Sequence, residues 1–185
     1  MRRRHPDPLI KLALLSVAAV LVACRAGEAK APVPSVPPVA AAARLERQYN
    51  ARNDSTVVRV VPPVPPSGAH LIAGAVVDGR QARQAPEQVL IGVSWGGSEV
   101  RFAHCQRLRW RADGTSLAEV EVTRDVQIGG GVTEILSGTV SFPQVRALAA
   151  TGQLSVDVCG EAVAIPDAEL ELLRQLVRQV SPGGR

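Results

Sequence analysis

Apolar residues recur at every second position through the middle of this chain, and that period commits it to β-structure. Val89, Ile91, Val93 and Trp95 share one face of an extended segment. Thr56 to Val61 is β-branched and reads as the first strand. Val100 and Phe102 open a longer run that continues through Leu108 and Trp110. Ala118, Val120 and Val122 form a further inward face, with Glu119, Glu121 and Thr123 opposite. The chain holds one Tyr, two Phe and two Trp, so Val, Leu and Ala must fill its core.

The Asp113-Gly114 turn makes the period testable. A slip of one residue would exchange the two faces, so burial selects one register. Matching Trp110 to Ala118 and Leu108 to Val120 sets Arg109 against Glu119 and Arg107 against Glu121. That register needs an odd-length connection or a bulge. It also gives the arginine row Arg101, Arg107, Arg109 and Arg111 its simplest role, cross-strand ion pairing. The competing role is a site for lipid phosphates or another anionic surface.

Towards the end the period changes to that of a helix. Ser141 is placed to cap a short helix carrying Val145, Leu148 and Ala149, which Gly152 ends. Gln153 to Val158 and Ala162 to Ile165 read as strands joined by a tight turn at Gly160-Glu161. Asp167 caps a last helix in which Leu170, Leu173, Val177 and Val180 recur on one face, suited to covering an open side of the sheet. The expected fold is mainly β, antiparallel and sandwich-like, with two C-terminal helices; α+β is the alternative. About 130 residues, from Tyr49 to Val180, suffice for one modest core.

The first 48 residues are of another kind. Met1-Arg2-Arg3-Arg4 and Lys11 precede an apolar run from Leu12 to Ala23, which falls short of the about 20 residues a bilayer requires. The run closes on Leu21-Val22-Ala23-Cys24. A basic head, a short apolar core and small residues before a cysteine resemble the export signal of a bacterial lipoprotein. The resemblance implies that residues 1–23 are removed and that Cys24 is acylated. Residues 24–48 then form an Ala/Pro-rich tether, residues 49–181 the β-rich domain and residues 182–185 a tail. Pro32, Pro34, Pro37 and Pro38 favour extended backbone of about 3.1 Å per residue. The alanines from Ala40 to Ala43, with Arg44 to Arg47, read as a short helical turn. Pro62 to Pro66 separates the first strand from the rest.

Tyr49, the stretch Asn53-Asp54-Ser55-Thr56-Val57, the strand before Asp113-Gly114 and the helix–hairpin–helix ending together resemble an uncharacterised domain of exported bacterial proteins. That resemblance carries no activity with it. Removing residues 1–23 lowers the net charge from +4 to +1, because four basic groups and one acidic group leave. The remaining charge offers no concentrated basic surface, so no nucleic-acid partner is expected.

An exported location favours a disulfide between Cys105 and Cys159, both read as lying on strands and meeting on an outer face or a sheet edge. Gly92-Val93-Ser94-Trp95-Gly96 has the spacing of a hydrolase nucleophile elbow. No helix opens behind Ser94, and the one histidine after it is His104, so the stretch reads as a hairpin turn. Gly129-Gly130-Gly131 lacks the lysine of a phosphate loop and reads as a turn. His70 and His104 are the histidines left after residue 23, and no zinc-type spacing includes them. Glu134, Asp157 and Glu161 remain isolated acids on this reading. Catalytic residues, metal ligands and cofactors are therefore assigned as none. The chain is expected to be an extracytoplasmic binding or assembly module, lipid-anchored to the cell membrane or the outer membrane, with an envelope protein as partner. Small-ligand or envelope-glycan binding and a hydrolase using Ser94 are the alternatives.

Overall fold

The computed structural model describes residues 41–64 and 66–183. The apolar start, Cys24 and the proline-rich stretch as far as residue 40 lie outside the described residues. β1 (Arg44–Asn50), β2 (Ser55–Val61), β3 (Gly68–Asp78) and β4 (Gln88–Gly97) pair successively in antiparallel fashion. β8 (Val132–Ser141) adds to β4 and β7 (Thr123–Ile128) to β8, giving a six-stranded sheet in the order β1-β2-β3-β4-β8-β7. A four-stranded antiparallel sheet runs β10 (Glu161–Ala164), β9 (Leu154–Val158), β5 (Arg107–Ala112), β6 (Thr115–Glu121). The two helices are α1 (Phe142–Ala149) and α2 (Asp167–Val180).

Both sheets and both helices feed one core. Leu71, Ile91 and Leu136 come from the large sheet, Leu108, Trp110 and Val156 from the small one, and Leu148, Leu173 and Leu176 from the helices, all without exposed surface. Burial of each such side chain contributes about 1.5–3 kcal/mol, which compensates for the shortage of aromatics. The chain is mainly β and sandwich-like, as its period demands. α2 lays Leu170, Leu173, Leu176 and Val180 into the core against β1, β2 and β3, with Val177 partly buried beside them. Its N-cap is Pro166, and Asp167 is its first helical residue. At the other helix the Gln144 side chain accepts hydrogen bonds from the Ser141 N–H (3.0 Å) and hydroxyl (2.8 Å).

The β5–β6 hairpin has the register that burial selects. Trp110 pairs with Ala118, Leu108 with Val120, Arg109 with Glu119 and Arg107 with Glu121, and the required irregularity falls between Trp110 and Arg111. Asp113 and Gly114 take positive φ (48° and 82°), which an Asp-Gly pair tolerates well. The Thr151 side chain and the N–H groups of Gln153 and Gly152 hold the Asp113 carboxyl below its usual range. The turn is thereby fastened to the end of α1.

Elsewhere tertiary pairing overrides local pattern. Arg44 to Arg47 belong to β1 and not to a helical turn, so the sheet begins inside the stretch read as tether. Leu45 packs on the core, and Glu46 bonds Arg59 across the pair (2.9 Å). These contacts outweigh a helix propensity worth tenths of a kcal/mol per residue. β3, β7 and β8 carry no clean alternation in sequence and pass unread. Conversely, the alternation at Val100 and Phe102 belongs to an irregular loop, residues 98–106, and not to a strand. β2 does stop at Val61, directly before Pro62, and Gly129 to Gly131 connect β7 to β8.

Candidate functional site

Ser94 does not sit in a turn. The whole stretch Gly92 to Gly96 lies within β4, paired with β3 on one side and β8 on the other. Its glycines answer to packing: a Cβ on Gly92 would collide with the Leu136 carbonyl, and one on Gly96 with the Pro66 carbonyl. Ser94 is 1% exposed, and its hydroxyl has no hydrogen-bond partner among the described residues.

The structure nevertheless brings a histidine and an acid close to it. His70 is the cross-strand neighbour of Ser94 on β3, and its Nδ1 lies 2.7 Å from Glu169 Oε1. Its Nε2, the atom a nucleophile would need, lies 3.1 Å from the Ser67 carbonyl oxygen instead. Three residue types of a hydrolase are thus adjacent without the bond that would activate the serine. Replacing Gly92 with alanine should cost roughly 1–3 kcal/mol through overpacking, whereas Ser94→Ala, which removes an unsatisfied buried hydroxyl, should be near neutral. Urea midpoints of the two variants check this contrast.

A concave surface lies on the outer face of β2, β3 and β4. Val57 and Val76 are register partners there, as are Gly74 and Leu90, and Ile72 extends the same face. Gly74 lies between Arg59 and Leu90 in its row and leaves the floor without a side chain. The connection from Arg83 to Glu87 forms one wall, and Asp78 and Arg59 complete the rim. The resulting groove has a volume of about 930 Å³, with Val76 58% and Leu90 41% exposed. Arg59 is already engaged by Glu46, whose carboxyl is held below its usual range by hydrogen bonds from Arg59 and then Arg44. The sequence signal is the pair of runs Ala75-Val76-Val77 and Val89-Leu90-Ile91, where apolar residues occupy both faces of a strand. A sheet face in contact with water alone is ordinarily polar.

The arginine row divides. Arg107 and Arg109 both reach Glu119 (3.1 and 3.2 Å), while Glu121 makes no ion pair among the described residues. The pairs are exposed and contribute about 0.2–1 kcal/mol each. Arg101 is not on a strand. Its guanidinium stacks over Trp95, 4.4 Å from the ring centroid, and bonds Glu161 (2.7 Å).

Neither cysteine lies on a strand. Cys105 follows a turn in the loop after β4, and Cys159 occupies the β9–β10 turn at a φ of 54°. They form a disulfide with Cα atoms 5.4 Å apart. Cys105 is buried in the core cluster and Cys159 exposed, so the bridge runs from core to surface. Period-two parity gave the wrong location because it holds along a strand, and neither residue belongs to one.

The three acids have separate employments. Asp157 accepts from the Gly160 N–H (2.7 Å), Glu161 from Arg101, and Glu134 is buried beneath the loop after β4. Among the described residues no group of three or more His, Cys, Asp and Glu is placed to hold a metal ion. No helix among them is long and apolar enough to cross a membrane. No family model, curated protein or solved structure matches this chain.

A disulfide-bonded β domain of this kind belongs to an oxidising, extracytoplasmic compartment.

Proposed function

We propose that this chain is a lipid-anchored binding module of the bacterial cell envelope, and that its domain engages a protein partner through the groove on β2–β4. The observation that carries the reading is the groove itself, an apolar floor with a charged rim on an otherwise solvated sheet face. Exposed apolar surface of this sort marks interaction sites. The disulfide supports the compartment, and the Leu21-Val22-Ala23-Cys24 stretch supports the anchor.

The test is a mild-detergent pull-down of the tagged full-length protein from its native envelope. Leu90→Asp and Val76→Asp should each remove the retained partner while leaving the protein folded and membrane-bound. Cys24→Ala should release it from the membrane. A partner retained equally by both groove variants would overturn the groove, and unchanged membrane association of Cys24→Ala would overturn the anchor.

Small-ligand binding in the same groove is the second reading, favoured by a volume inside the range of about 300–1,000 Å³ typical of ligand sites. Glycan stacking gains no such support, because Trp110 is fully buried and Trp95 lies under Arg101.

A further inference from the structure

A glycine inside a strand weakens it, because its backbone loses more freedom on folding and it brings no side chain to pack. Gly92, Gly96 and Gly138 are required from within the fold. A Cβ at these positions would collide with the carbonyl oxygens of Leu136, Pro66 and Glu121. Gly74, in the interior of β3, is under no such demand. Its φ is not in the left-handed region, and a Cβ there would meet only Arg59 Cβ at 3.6 Å and the Val58 carbonyl oxygen at 3.7 Å. Both are ordinary van der Waals contacts. Among the described residues, nothing fills the space that the missing side chain leaves.

That space is the floor of the groove. Gly74 is paired with Arg59 on β2 and Leu90 on β4, so an occupant gains contact area there and not strand pairing. Ile72 and Val76 flank it along β3 on the same face, and Val57 stands opposite Val76. A bare stretch of backbone between branched apolar side chains suits a planar ring, which covers the glycine and touches its neighbours at once. The charges lie to one side. Asp78 ends β3, Glu87 precedes β4 and Arg83 lies between them in the connection. All three are exposed and in no ion pair among the described residues, whereas Arg59 is held by Glu46. Two acids against one base leave that end of the groove acidic.

We propose that Gly74 is the seat of an aromatic side chain presented by the partner protein, with a basic residue of that partner beside it at the Asp78–Glu87 end. This deepens the reading of the groove as a docking surface and rests on it. A second copy of this chain is not the donor of the ring. Its aromatics are one Tyr, two Phe and two Trp. Trp110, Phe102 and Phe142 are buried, and Trp95 lies under Arg101. The Tyr49 hydroxyl bonds Asp54, and Arg80 covers its ring at 4.5 Å. The ring therefore belongs to a different protein.

The experiment uses the full chain in lipid nanodiscs, with labelled Val and Leu methyl groups, titrated with three blocked dipeptides. Lysyl-tryptophan should shift the methyl signals of Val57, Val76 and Leu90 by ring currents, at low-millimolar affinity. Lysyl-leucine and glutamyl-tryptophan should each bind at least about threefold more weakly. Gly74→Val fills the seat and should abolish the lysyl-tryptophan shifts while raising the urea midpoint, since valine suits a strand better than glycine. Equal affinity for lysyl-tryptophan and lysyl-leucine, or full lysyl-tryptophan binding by Gly74→Val, would overturn the aromatic seat. Equal affinity for glutamyl-tryptophan would overturn the basic neighbour, and no shift with any dipeptide would overturn both. The dipeptide ranking comes from the unmutated protein, so it does not depend on Gly74→Val folding. The groove itself is judged separately by Leu90→Asp: if that variant loses the partner and the dipeptides show no preference, the docking surface stands and this seat falls.

Discussion

Replacing Glu134 with alanine is expected to destabilise the domain by roughly 3–5 kcal/mol, among the largest effects available to a single side chain here. Glu134 has no exposed surface, so its carboxyl oxygens need partners inside the fold. The loop after β4 supplies them. The Arg101 N–H donates to Oε2 at 2.6 Å, and the Phe102 N–H reaches both oxygens at 3.1 and 3.2 Å. The Arg124 guanidinium stands 3.5 Å from Oε1. Alanine would leave two main-chain donors without an acceptor, each a desolvation cost of about 1–3 kcal/mol, and would remove the Arg124 guanidinium's partner. Glu134→Gln keeps one acceptor oxygen and should recover part of the loss. Urea unfolding followed by tryptophan fluorescence decides the matter, because Trp95 packs edge-on against Phe102 (5.6 Å between centroids) and reports the loop directly. A loss below about 1 kcal/mol would mean that the loop finds other acceptors.

The second large effect concerns the same loop from its other end. Opening the Cys105–Cys159 disulfide is expected to cost about 4 kcal/mol, from the loop entropy released by a sequence separation of 54. The comparison to make is oxidised protein against reduced protein, with Cys105→Ser/Cys159→Ser as control. Reductant should lower the unfolding midpoint of the wild type and leave that of the double variant unmoved. If the wild type is also indifferent to reductant, Glu134, the Arg101–Glu161 pair and the Trp95–Phe102 contact hold the loop without the bridge.

These two residue sets show where sequence reading stops. Alternation and turn chemistry exposed β2, β4, β5, β6 and the register of the Asp113 hairpin, down to its bulge. The helical period located α1 and α2 to within a residue or two. β7 escaped because it is an edge strand whose exposed Arg124, Asp125 and Gln127 lack an apolar partner face. β3 escaped because glycine and alanine supply much of it, and because Val76 and Ile72 place apolar groups on both sides. The groove escaped with it, since its floor consists of those same outward side chains.

The strands at Val89–Trp95 and Leu108–Trp110, the two amphipathic helices and the Asp113-Gly114 turn are properties of neighbouring residues, and neighbours are adjacent in the chain whatever the fold. The remaining assignments depend on groups far apart in sequence. Gly92 is required by the Leu136 carbonyl on β8, Glu134 by the main-chain donors of Arg101 and Phe102, and Glu169 by the Leu71 N–H where β2 has ended. A glycine, a buried acid and a histidine look the same in sequence whether they serve packing or catalysis. Only close approach of backbones and the matching of donors to acceptors distinguish those roles, and both are decided by tertiary structure.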